Sequence, residues 1–179
     1  SRDFNSNLLS IDLSNDGLDI VGKVNSSNQT LNLIWEQDFK KKDNSTLISL
    51  SGSINDKMIN NFISEKLKFS GTVDVEANFI GNSFDLRKGE LFLDFKNTKI
   101  ESYILDWAKP KFSSMFLKSN INFSDNKEIN FYNFKIEGPL IQVDGNFNFK
   151  NNRIENISLK KFKSYSSNDN ISNNFSLKY

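Results

Sequence analysis

The sequence predicts a mainly β protein, a long antiparallel meander with one short helix. Three observations carry that reading. Apolar residues recur with a period of two along nearly the whole chain, which puts alternate side chains on one face. Polar turn signals of hairpin length separate these runs, as sequential antiparallel strands need and parallel neighbours do not allow. Helical spacing occurs in one place, Asn55 to Lys66.

Taken in order, Leu9, Ile11 and Leu13 alternate with polar residues, and Asn15-Asp16-Gly17 supplies a turn. Leu18, Ile20, Gly22 and Val24 follow, then Leu31, Leu33 and Trp35, then Ile48, Leu50, Gly52 and Ile54. In Asn55 to Lys66, Met58, Ile59, Phe62 and Ile63 form an amphipathic stripe of three turns at most, with Asn55 or Asp56 as cap. Strands resume at Leu67. GTVDVEANFIG, Gly71 to Gly81, then sets Val73, Val75, Ala77 and Phe79 against Thr72, Asp74, Glu76 and Asn78. Leu91, Leu93 and Phe95 alternate next, and an irregular corner runs from Tyr103 to Pro110. Met115, Leu117, Ile121 and Phe123 form a strand, and Ile129 to Ile136 another whose apolar phase shifts at Phe131-Tyr132, the mark of a bulge. Ile141, Val143, Gly145, Phe147 and Phe149 repeat the GTVDVEANFIG pattern; Ile157 and Leu159, then Phe175 and Leu177, close the chain. The sum is about ten strands in a single domain.

Such strands are dry on one face and wet on the other. Two architectures satisfy that: a two-sheet sandwich with its dry faces together, or one curved sheet with its dry face inward as an open groove. Gly52, Gly71, Ala77 and Gly145 on dry faces mark sharp curvature or close backbone approach.

Composition removes most chemistry. There is no Cys and no His, so thiol nucleophiles, thiolate metal sites and the commonest general base are absent. Asp74 and Glu76 share a wet face with nothing to desolvate them, and no phosphate loop or nucleophile elbow exists. The expectation is a protein that is not an enzyme and takes no cofactor. Lys+Arg 23 against Asp+Glu 22 gives a net charge of +1, and the runs Lys40 to Lys42 and Lys160 to Lys163 hold a single aromatic, Phe162, and no stacking platform, so nucleic acid is not an expected partner. No run approaches the roughly 18 apolar residues of a spanning helix. With no Met at Ser1 and strand pattern near both ends, residues 1–179 read as one segment of a longer chain.

The order of four pieces resembles a known family. ISLSGSINDKMINNF, LKFSGTVDVEANFIG, GELFLDFKNTKIESYILDWAKPKF and FYNFKIEGPLIQVDGNFNFKNNRIENISLKKFK carry it. They are similar to the repeat of the AsmA-like proteins of Gram-negative bacteria, in particular the YhdP-type subgroup. The matching pieces are Leu50 to Asn60, Gly71 to Gly81, Trp107 to Pro110 and Gly138 to Gly145. The resemblance is strongest over 45–179 and departs at Phe112, where the family pattern has Gly. It implies a taco-shaped β-groove, a segment of a periplasmic, inner-membrane-anchored protein akin to bridge-like lipid transfer proteins. Implied partners are phospholipid acyl chains and neighbouring β repeats of the same chain, with membrane association through segments outside this one. The implied function is carriage of phospholipid between inner and outer membranes in support of outer-membrane integrity. The residues expected to line the groove are Val73, Val75, Ala77 and Phe79; Leu91, Leu93 and Phe95; Ile121 and Phe123; and Ile141, Val143, Phe147 and Phe149. The competing expectation is a closed β-sandwich serving as a structural or protein-binding module of the cell envelope.

Overall fold

A computed structural model describes residues 5–26, 29–41, 45–60, 67–83, 85–103, 107–124, 128–139, 141–150, 153–165 and 172–174. In chain order these form β1 (Asn5–Leu13), β2 (Gly17–Ser26), β3 (Gln29–Asp38), β4 (Ser45–Asn55), α1 (Asp56–Asn60) and β5 (Leu67–Asn82). Then come β6 (Asp85–Asp94), β7 (Thr98–Ser102), β8 (Trp107–Lys109), β9 (Phe116–Phe123), β10 (Ile129–Gly138), β11 (Ile141–Lys150), β12 (Arg153–Tyr165) and β13 (Ser172–Asn174). Every pairing is antiparallel, and the main path runs β1-β2-β3-β4-β5-β6-β9-β10-β11-β12-β13. Its two end strands do not pair with each other, so the sheet is open rather than a barrel.

The register explains why the period-two pattern matters. Ile11 faces Ile20, then Trp35, Ile48, Phe79, Gly89, Ile121, Phe131, Phe147 and Ile157 on successive strands. A second row joins Val24, Leu31, Gly52, Val75, Leu93, Leu117, Ile136, Val143 and Phe162. A one-residue slip at any pairing would throw the next strand's apolar set to the wet side. The dry faces therefore fuse into one continuous surface.

The meander is interrupted once. β5 is 16 residues long and serves two sheets: residues 67–71 pair with β7, whereas the remainder pairs with β4 and β6. The change happens at Gly71, whose φ of +118° is open to glycine alone in practice. A Cβ there would lie 2.3 Å from the Asn97 carbonyl oxygen. β7 and β8 thus leave the main sheet as a flap, and β6 takes β9 as its neighbour.

Several expectations are refined. The stretch read as an irregular corner contains one short strand, β8; β7 just before it and β13 add two more, because period-two counting misses pieces of three to five residues. The helix expected over 55–66 is described as α1 alone, with Ile59 buried; Phe62, Ile63, Phe175 and Leu177 lie outside the described residues. The phase shift in β10 is a bulge: the register with β11 skips between Phe131 and Phe134, and Asn133 has a φ of +51°. Asn146 Oδ1 accepts the Asn133 N–H at 3.0 Å there. At the Ser14–Gly17 turn, Ser14 Oγ accepts the N–H groups of Asp16 and Gly17 at 3.1 and 3.2 Å, as an ST-turn should. Phe112 holds a left-handed φ of +69°, the conformation a glycine takes without strain. Its N–H donates to the Lys96 carbonyl at 2.7 Å, so the corner keeps its shape with a bulkier residue.

Candidate functional site

The continuous apolar face is the candidate site, and it divides into a covered part and an open part. At the covered end the flap folds over the sheet. Ile100 and Trp107 from the flap, Ile59 of α1 and Phe69 of β5 meet Phe95, Met115, Val73, Ile141 and Val143 in one buried cluster. Leu93, Leu117, Ile136 and Phe162 pack half-buried against it. From Leu93 to Phe162 the row through Val143 is thus closed by protein.

Among the described residues the buried cluster takes in no side chain of β2 or β3, and of β4 only Ile54 packs against it. Leu18, Ile20, Val24, Leu31, Leu33, Trp35, Ile48 and Leu50 are half-buried there. On the edge strand β1, Leu9, Ile11 and Leu13 are 40, 63 and 68 % exposed. This is far more apolar surface than scattered exposed residues need to account for. Gln29 and Gln37 sit in the dry phase at the two ends of β3, each with buried amide atoms that no described protein group hydrogen-bonds. The stripe is apolar in the middle and polar at its ends.

Aromatic rings pave the middle. Phe79 lies over Gly89, where a Cβ would come within 2.5 Å of the ring, so glycine makes the bed the ring occupies. Its edge meets Phe123 at 5.8 Å. Phe131 and Phe147 stack at 4.3 Å and 10°, with Phe134 edge-on to Phe147 at 5.2 Å.

The residues expected to line the groove therefore separate. Val73, Phe95, Ile141 and Val143 are buried under the flap and face protein. Ala77 and Ile121 are buried within the sheet surface at 4 % exposure. Val75, Phe79, Leu91, Leu93, Phe123, Phe147 and Phe149 are half-buried. Sequence reasoning left out Ile20, Leu33, Trp35, Ile48 and Leu50, which occupy the same rows. Their phase was the available signal. Trp107 is a core residue, as its residue physics favours over a rim position.

Comparison with family models, with curated proteins and with solved structures finds no match. What the site can do must be argued from its own side chains.

Among the described residues no group of three or more Asp, Glu, His or Cys is placed to hold a metal ion. Asp74 and Glu76 point to solvent, Asp74 accepting from Ser53 Oγ. The unexpected ionisable group is Lys109, fully buried beside Trp107. Strand alternation sets it in the same phase as Trp107, a signal present in WAK. Its Nζ donates to the carbonyls of Thr98 at 2.7 Å and Pro110 at 3.1 Å, tying β8 to β7. Burial pushes its pKa down, with Asp94 pulling part of the way back. The folded chain therefore releases this proton at a lower pH than the unfolded chain. Stability is expected to rise with pH across the window from the depressed folded value up to 10.5. Urea unfolding of the wild type and Lys109→Met across that range checks this: the variant should lose that part of the slope. It should also lose about 1–3 kcal/mol near neutral pH, because both carbonyls lose a donor.

Proposed function

We propose that the chain is a non-enzymatic segment of a periplasm-spanning, AsmA-like protein whose apolar β-groove carries phospholipid between inner and outer membranes. The observation that carries this reading is the unbroken apolar row from Ile11 to Ile157, crossing strands whose other face is largely polar. Each CH₂ of an acyl chain gains about 0.8 kcal/mol wherever along such a surface it leaves water. A chain moving from one strand to the next exchanges like for like, so lipid slides with no energy source in the groove. The headgroup stays at the rim, in water. Among the described residues β1 and β13 end the strand path, which suits continuation of the surface by neighbouring β repeats, with anchorage in the inner membrane supplied by other segments.

The second reading, a closed sandwich acting as a structural or protein-binding module of the envelope, draws on the flap, which buries Ile141 and Val143 against protein. It requires the surface over β2 to β4 to be covered as well. Lipid extraction and mass spectrometry of the purified chain separate the two. Phospholipid should co-purify, and Leu50→Asp should cut it at least tenfold while circular dichroism stays that of a β protein. A folded wild type free of phospholipid favours the sandwich.

A further inference from the structure

On the face opposite the groove, besides the Phe92–Phe116 pair under Lys118, one apolar row crosses β1 to β5. Leu8, Val21, Ile34, Leu47 and Ile80 are all exposed, at 67, 50, 41, 38 and 57 %, and sit on five successive strands. Val21 stands directly opposite Ile34, and Leu47 opposite Ile80; Leu8 and Val21, like Ile34 and Leu47, are offset by two residues. The result is a diagonal roughly 20 Å long at the usual strand spacing. Its exposed area is on the order of 400 Å², the size at which a patch signals interaction.

At one end the row runs into a cavity of about 610 Å³. Leu47 and Ile80 line it together with Asp16, Asp19, Glu36 and Asp38. Lys40 engages Asp16 at 2.8 Å and Lys41 engages Asp38 at 3.6 Å. Asp12, Asp19 and Glu36 stand directly opposite one another on β1, β2 and β3, and none is in an ion pair among the described residues. Like charges in directly opposed cross-strand positions destabilise a sheet. A carboxylate row alongside an apolar row is thus unfavourable for the fold alone and complementary to a cation with an apolar side.

We propose that this outer face docks a basic amphipathic helix of a partner protein. Its apolar positions lie along Val21, Ile34, Leu47 and Ile80, and its Lys or Arg residues reach the Asp12–Asp19–Glu36 row. A helix of about 13 residues spans the diagonal, with anchors at i, i+3/i+4 and i+7. An anionic membrane would be repelled by the carboxylates, and a second copy of the chain would set its own acidic row against this one.

The probe is a synthetic 16-residue helical peptide with Leu on one face and Lys along its flank, titrated into the full chain, with its Lys→Glu counterpart as control. The Lys peptide should bind and weaken with added salt. The double variant Asp19→Asn/Glu36→Gln and, separately, Ile34→Ser should each weaken it at least tenfold, while Lys118→Ala, away from the row, leaves it unchanged. Circular dichroism confirms that each variant is folded. Equal binding of the Glu peptide, no binding of the Lys peptide, or indifference to the outer-face variants overturns the proposal. So does protection of the row by phosphatidylglycerol vesicles, or concentration-dependent self-association that Ile34→Ser abolishes.

Discussion

Replacing Trp107 by alanine should cost about 3–5 kcal/mol of stability, the usual consequence of emptying a large aromatic from a packed core. Trp107 is 4 % exposed and is the flap's largest contribution to the cluster that holds it on the sheet. The rest of that cluster comes from α1, β5, β7, β11 and the β6–β7 and β8–β9 connections, separate elements that cannot collapse together into the space it leaves. Most of the cost is then cavity as well as lost burial. Urea unfolding measures the total, and hydrogen exchange measures where it falls. Amides of β7 and β8 should lose protection first, while those pairing β2 with β3 and β3 with β4 lose little. A loss below about 1 kcal/mol would mean that the flap is not held by this cluster.

The second large effect concerns Gly71. Alanine there must adopt a φ of +118° or move the chain, and its Cβ meets the Asn97 carbonyl oxygen at 2.3 Å. That obstacle is backbone, not a side chain that can swing aside. The Gly71 N–H also donates to Asp56 Oδ2 at 3.2 Å, so a shifted backbone loosens α1. Gly71→Ala should cost about 3 kcal/mol or more, from backbone strain together with the forced displacement. Gly52→Ala provides the comparison. Its φ of +151° is also positive, but the nearest obstacle is Leu31 Cδ2 at 2.9 Å, the mobile end of a side chain. Thermal unfolding of both variants should therefore place Gly71→Ala clearly below Gly52→Ala. The reverse order would mean that the bend of β5 does not depend on Gly71.

How far the sequence carries is visible in these two residues. GTVDVEANFIG reads as an amphipathic strand, and the structure has that strand with the expected faces. The dry side, however, differs along its length. Val73 is wholly buried beneath protein, while Val75 and Phe79 are half-buried in the sheet's apolar rows. LIQVDGNFNF behaves likewise: Val143 lies in the cluster and Phe147 stacks on Phe131. Alternation reports which side a residue faces, because the pleat is local. It does not report what lies above that side, because the flap that covers it pairs with β5 through a bend at one glycine. The bulge in β10 was legible because a phase shift is local too. The burial of Lys109 depends on two backbone carbonyls brought together by the β7–β8 hairpin, which composition does not encode. The groove surface over β2 to β4 has the same phase as the strands expected to line it. Only the register shows that they form one row.

The central claim is that the apolar face holds lipid while its opposite face does not. Photo-crosslinking in cells, with a photoreactive residue in the full-length protein at Leu33 or Phe79 and, for contrast, at Ile34 or Ile80, tests it most directly. These pairs are chain neighbours on opposite faces, so they share expression, position and solvent history. The account predicts phospholipid adducts from Leu33 and Phe79 and none from Ile34 and Ile80. Protein adducts alone from Leu33 and Phe79, with no phospholipid at either, would contradict it.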